Sequence, residues 1–241
     1  MNNRGTAIVQ MPEVSSVAAP TVGRKILMAI TGLAFVGFAG GHMIGNLQLF
    51  LGQAQYNGYA AALQSLGPII WIVRFTLLAL LVVHVWTGLR LFWDNYKARP
   101  VGYAKEETLE ASFSSRTMIY SGGAMFLYVI YHILHFTMLV TNPEFADLHD
   151  PNGLHDVYSM VVLGFLNPWV SGVYILAMVA LAFHVNHAIP SFLQTLGLSH
   201  TRWRNALKRL GNLVALVLFF GYCSLPVAVL LGQITTSAGG H

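Results

Sequence analysis

Residues 118–141 read MIYSGGAMFLYVIYHILHFTMLVT, twenty-four positions without a single Asp, Glu, Lys or Arg. About 20 apolar residues in a helix cross the hydrocarbon of a bilayer. In lipid only helices or closed barrels satisfy their own backbone polar groups, so an unbroken run of this length specifies a transmembrane helix. Four further apolar runs reach the same length, at 26–51, 69–92, 165–193 and 207–231. Together they take up more than half of the 241 residues, of which 55% are hydrophobic and 9% charged, whereas a soluble domain carries roughly a quarter charged residues. The expected fold is all-α: an integral membrane bundle of five transmembrane helices within 24–232, preceded by an arm at 1–23 and followed by a tail at 233–241.

The net charge of +4 does not mark a nucleic-acid binder, because the basic residues are distributed by side. Arg4, Arg24 and Lys25 precede the first span; Arg90, Lys97, Arg99, Lys105 and Arg116 lie at or between the second and third; Arg202, Arg204, Lys208 and Arg209 join the fourth to the fifth. The connection between the third and fourth spans instead holds Glu144, Asp147, Asp150 and Asp156 and no Lys or Arg. Basic loops stay on the cytoplasmic side, which sets the amino terminus inside and the carboxyl terminus outside. The first 22 residues lack an apolar core and read as a retained cytoplasmic arm. Cys223 is the only cysteine, which excludes an internal disulfide, a cysteine-only metal site and covalent CxxCH haem attachment.

Proline suits the first helical turn, so Gly67-Pro68 and Asn167-Pro168 mark helix starts. Pro226 falls deep in the fifth span, where proline kinks a helix. The connection at 52–67, GQAQYNGYAAALQSLG, sets Tyr56, Tyr59, Ala60, Leu63 and Leu66 at helical spacing, the pattern of a short amphipathic helix at the interface. No internal repeat of fixed period is seen. The inside loop at 94–116 is the most charged segment and a natural docking surface for a soluble partner.

Six histidines fall in four of the five spans: His42, His84, the pair His132 and His135 in YHILHF, and the pair His184 and His187 in FHVNHAIP. Ionisable residues in a membrane are costly and mark function by default. His42 lies 17 residues beyond Lys25 and His132 lies 16 beyond Arg116, so these two are level, toward the outside. His84 lies 10 residues before Asp94 and His184 lies 10 before Gln194, so these two are level, toward the inside. At 1.5 Å per residue the layers are offset by roughly 10 Å. Two level pairs on facing helices suit two haems, each ligated by one imidazole from each of two helices. Glycines at 37, 40, 41, 45, 88, 122 and 123 leave room for a flat macrocycle, and equally serve close helix packing. A zinc peptidase helix would read HExxH and a di-iron bundle needs several inward glutamates; no glutamate lies in any of the five runs.

With GGHMIGNLQLF around His42, LVVHVWTGLRLF around His84, YVIYHILHF around His132 and AFHVNHAIPSFLQTLG around His184, the chain resembles the di-haem cytochrome b membrane anchor of succinate dehydrogenase and fumarate reductase, respiratory complex II, in its single-subunit, five-helix bacterial form. The resemblance covers 24–232. It implies that His42 and His132 are the axial ligands of an outer haem b and His84 and His184 those of an inner one. It also implies flavoprotein and iron–sulfur subunits, carrying FAD and the clusters, docked on the inside face, with menaquinone or another quinone as electron acceptor. The implied location is the bacterial cytoplasmic membrane, and a higher oligomer of the whole complex is compatible with it. This chain would perform no chemistry on succinate itself.

The resemblance favours the first histidine of each HxxH as ligand. Residues at i and i+3 lie about 60° apart on a helix, so His135 and His187 are expected beside the cofactor, bonded to a propionate, a quinone or the backbone. Arg74, the one basic residue on the outside half, and Arg90 are expected as propionate partners of the outer and inner haem, with snorkelling to the interface as the alternative. Asn46, Gln48 and Tyr56, with Gln53 and Asn57, form an outer rim able to hydrogen-bond a quinone. Some fumarate-reducing relatives carry a glutamate two residues before the fourth-helix ligand; here that position is Ala182, which favours succinate oxidation and speaks against a glutamate proton path. Two other readings fit the same residues: a cytochrome b anchor serving a hydrogenase or formate dehydrogenase, and a cofactor-free transporter.

Overall fold

The computed structural model describes residues 15–98, 113–200 and 202–236. Arg4, Arg99 and Lys105, most of the loop at 94–116, the first fourteen residues of the arm and the end of the tail lie outside them. Among the described residues the fold is all-α, with α1 (Ser15–Leu47), α2 (Gln53–Gln64), α3 (Pro68–Lys97), α4 (Phe113–Arg116), α5 (Met118–His132), α6 (Val157–Leu166), α7 (Pro168–Thr195) and α8 (Arg204–Leu230). Five helical segments are long and apolar enough to span a membrane: Thr21–Leu51, Pro68–Lys97, Met118–Thr137, Pro168–Thr195 and Arg204–Leu230.

Local chemistry sets where these helices begin and end. Gly67 takes a positive φ of 53° before Pro68 at the first turn of α3. The Asn167 side chain accepts from the amides of Trp169 and Val170 and caps α7. That cap separates α7 from α6, so the apolar run at 165–193 divides: Phe165 belongs to a short helix buried against α2, α7 and α8. The run at 118–141 also ends early. Beyond His132 the chain continues as a π-helical turn, Ile133–Thr137, and Leu139 then reverses it at φ 53° while the Val140 amide donates to Leu134 O at 2.8 Å.

Four long helices form a square in the order α1, α3, α5, α7, each packing on its two neighbours, and α8 lies along α7 and α1. The diagonals, α1 with α5 and α3 with α7, do not pack along their lengths. Direction alternates. At one end Arg24 bonds Asp94, Ser114 Oγ donates to Asn186 Oδ1 at 3.1 Å, and Asn186 bonds Asn212. Pro226 and Pro190 both lie inside helices that run on without a break. Pro190 has no amide to give Asn186 O, and Gly211 of α8 fits against both: a Cβ there would lie 2.8 Å from that carbonyl and 3.0 Å from the proline ring.

The far end is capped by α2 and the segment leading into α6. Asn57, 1% exposed, donates to Asp150 Oδ2 at 3.2 Å and Asp156 Oδ1 at 2.9 Å and accepts from the Tyr158 amide at 2.9 Å. Gln53 donates to Asp156 Oδ2 at 2.7 Å. Burial opposes charge on Asp156, but bonds from Ser159, Asn57 and Gln53 outweigh it and hold the carboxyl below its ordinary value. The helix expected at 52–67 is present as α2, with Tyr56 and Asn57 buried against the protein and Leu63 and Leu66 exposed.

Candidate functional site

Four histidines meet across the two diagonals of the square. His42 of α1 faces His132 of α5 with ring centres 6.0 Å apart, and His84 of α3 faces His184 of α7 at 6.3 Å. An imidazole nitrogen binds a first-row metal at about 2 Å and lies roughly 1 Å from its ring centre, so two rings on opposite sides of one ion have centres about 6 Å apart. Both separations fit that arrangement. Among the described residues no group of three or more His, Cys, Asp or Glu is placed to hold one metal ion, so each pair offers two ligands, whereas a zinc site takes three or four.

The inner rings are held from their far sides. Thr31 Oγ1 gives its proton to Leu27 O at 2.9 Å and so accepts from His84 Nδ1 at 2.9 Å. Ser121 Oγ bonds Met118 O at 3.1 Å and lies 3.3 Å from His184 Nδ1. Each hydroxyl thus favours the Nδ1–H tautomer and leaves Nε2 free to ligate, the usual outer-shell support of a metal-bound histidine. Small residues follow them: a Cβ on Gly32 would meet His84 at 3.5 Å and one on Gly122 would meet His184 at 3.3 Å.

The outer pair sits among aromatics. His42 stacks on Phe38 with ring centres 5.4 Å apart and an interplanar angle of 10°, and the Tyr222 ring lies 6.3 Å away with its hydroxyl on Ala39 O. His132 stacks on Tyr128 and lies 3.3 Å from the Tyr174 hydroxyl through Nδ1.

The two HxxH motifs resolve differently. His135 is 1% exposed, enclosed by Phe136, Tyr131 and Tyr174, with Nδ1 3.0 Å from the Tyr174 hydroxyl. It follows His132 through a π turn, which packs more residues per turn than an α helix; three steps advance the ring through roughly 250° instead of 300° and carry it off the facing side. His187 follows His184 on a regular α helix, half-buried and without a hydrogen-bond partner among the described residues.

Arg74 and Arg90 are exposed, with guanidiniums over the rings of Trp71 at 4.9 Å and Trp86 at 5.5 Å on their own helix. Arg74 precedes His84 by ten residues, as Tyr174 precedes His184, yet it turns outward. Of the outer rim, Asn46 donates to His42 O at 2.8 Å and accepts from the Tyr56 hydroxyl at 3.0 Å, and Gln48 accepts from Gln55 at 3.3 Å. Burial, with Tyr59 adding, pushes the Tyr56 phenol well above its ordinary range, so it remains a donor. Gln53 and Asn57 are engaged in the cap described above.

Thr31, Ser121 and Tyr174 are absent from the sequence-based expectations. A signal for two of them exists: Thr31-Gly32 precedes His42 by eleven residues, and Ser121-Gly122 precedes His132 by eleven. Compared with protein-family models, with curated proteins and with solved structures, the chain finds no match.

Proposed function

We propose that this chain is the membrane anchor and electron-transfer subunit of a bacterial succinate:quinone oxidoreductase, carrying electrons from an iron–sulfur subunit through two b-type haems to menaquinone or another quinone. What supports the reading above all is that four helices each contribute one histidine, and these pair across the diagonals at 6.0 and 6.3 Å. His84 and His184 would hold the inner haem and His42 and His132 the outer one. When bound, such a group would supply reversible one-electron chemistry, and a site offering two histidines favours electron transfer over oxygen binding.

The chain's own contribution is positioning. Thr31 and Ser121 favour the proton on Nδ1 of the inner imidazoles, and all four histidines stand on apolar helices of membrane-spanning length. Asn46, one turn beyond His42, and Tyr56 of α2, bonded to each other at 3.0 Å, are the polar pair that a quinone at the outer end would engage. The flavoprotein and iron–sulfur subunits would dock on the end that carries Arg24, Lys25, Lys97, Arg116, Arg202 and Arg204.

The test is a reduced-minus-oxidised spectrum and haem quantitation on the detergent-purified complex. Two b-type haems per chain, reduced by succinate, with co-purifying flavoprotein and iron–sulfur subunits, is the expected result. A colourless protein would overturn the haem reading; haems reduced only through another dehydrogenase would move the chain to a different partner.

A further inference from the structure

We propose that Tyr174 and His135 form a positioning relay for His132, in which the Tyr174 hydroxyl accepts the Nδ1 proton of His132 and gives its own to Nδ1 of His135. The inference rests on the reading of His132 as an axial ligand and assigns a role to the second histidine of YHILHF.

The geometry is a three-membered chain. The Tyr174 hydroxyl lies 3.3 Å from His132 Nδ1 and 3.0 Å from His135 Nδ1, and these are its only polar contacts among the described residues. Tyr174 itself is 5% exposed, with Tyr128 and Phe165 edge-on at 5.2 and 5.0 Å. A buried hydroxyl has one proton and satisfies it. Were both imidazoles donors, that proton would have nowhere to go in an aromatic cage. One ring therefore donates and the other accepts.

Direction follows from what each ring faces. If Tyr174 donated to His132, His132 would carry its proton on Nε2, the nitrogen left to ligate, and could not take a metal there. With His132 as donor, Nε2 is free to ligate and His135 is the acceptor. His135 suits that part, because Phe136 packs on it with ring centres 4.0 Å apart and a Cβ on Gly164 would come within 3.3 Å of it, leaving no room for a macrocycle on its own account. The π turn is what lets it reach Tyr174 from the same helix as His132. Thr31 and Ser121 end their chains on backbone carbonyls; Tyr174 bonds none among the described residues, and His135 stands in for one.

The purified complex carrying Tyr174→Phe, His135→Leu or His135→Asn decides the matter, read by the midpoint potential and low-spin EPR g-values of each haem and by the rate of haem loss to a soluble acceptor. The outer signal is the one that His42→Ala abolishes. Tyr174→Phe is expected to keep both haems, move only the outer potential upward as its ligand loses basicity, and loosen that haem by about 10-fold. His135→Leu should shift the same signal by less, and His135→Asn, which retains an acceptor near Nδ1, should return it toward the parent value. Unchanged potentials in Tyr174→Phe, a shift of the inner signal, equal values for the Leu and Asn variants, or loss of a haem in His135→Leu would each overturn the relay. If Tyr174→Phe assembles no haem at all, the Leu and Asn pair still discriminates. An unsubstituted complex without b-type haem would overturn the underlying reading itself, which separates that failure from failure of the relay.

Discussion

The inner and outer histidine pairs have nearly the same span between rings, 6.3 and 6.0 Å, but are held in different ways. Both inner rings bond aliphatic hydroxyls that are themselves tied to backbone carbonyls one turn away, so orientation comes from the adjacent helix and costs no additional buried side chain. Of the outer rings, His132 shares a tyrosine with a second histidine, and His42 has ring contacts alone among the described residues. The helices α1 and α5 repeat one another in supplying a hydroxyl and, eleven residues on, a histidine; α3 and α7 do not, because the position of Tyr174 on α7 is Arg74 on α3. A two-fold likeness that holds at the inner level is broken at the outer one.

The largest test of this comparison is removal of a ring. His84→Ala or His184→Ala should each abolish the inner b-type signal, and His42→Ala or His132→Ala the outer, leaving about half of the absorbance; His187→Ala should leave both. Loss of different signals from two members of one diagonal would break the pairing. Next, Thr31→Val and Ser121→Ala should weaken retention of the inner group alone by about 10- to 100-fold, seen as faster haem loss, with the outer signal as internal control.

A smaller effect is expected at the cap. Asn57→Leu leaves Asp150 and Asp156 without their shared donor and should cost about 1–3 kcal/mol of thermal stability. The Asp156 carboxyl is held below its ordinary value in the fold, so its contribution is complete above the unfolded value near pH 4 and is lost as pH falls through the lower native one. Acid should therefore destabilise the parent below about pH 4 and Asp156→Asn less so, monitored by unfolding in detergent. Least of all, Arg24→Ala removes a pair of which both side chains are about a third exposed, 35% and 38%, and should cost under about 1 kcal/mol.

Much of this was legible in the sequence because lipid makes strong demands. A helix crossing a bilayer must be long, apolar and poor in charge, so the five spans stand out, and depth along a helix is a count of residues. Rotation is harder to read. The π turn after His132 leaves no mark in ILHFT, and without it His132 and His135 look like neighbours on one face. The break at Asn167 was visible as a cap, but Phe165 reads as apolar on either side of it. Thr31 and Ser121 were hidden for another reason: a hydroxyl in a membrane helix usually bonds its own backbone, as these do, and only the neighbouring helix reveals the lone pair left over. Cross-element contacts such as Asn57 with Asp150 and Asp156 carry no local pattern at all.

Thr87 is the only buried residue of α3, and that helix rests on α1 and α5 while α7 and α8 pack on each other far more closely. Helices in lipid gain nothing from hiding apolar surface from one another and associate through packing and polar bonds. α3 has little of the first, and of the second it has chiefly His84 on Thr31 and Asp94 on Arg24. On the proposed function an order of assembly follows: α1, α5, α7 and α8 would settle as a body, and ligation of His84 would fasten α3 to them as a clasp. Occupancy of the inner site would then mark the subunit as finished, and a protease or insertion factor that senses a loose second helix would in effect be counting cofactor.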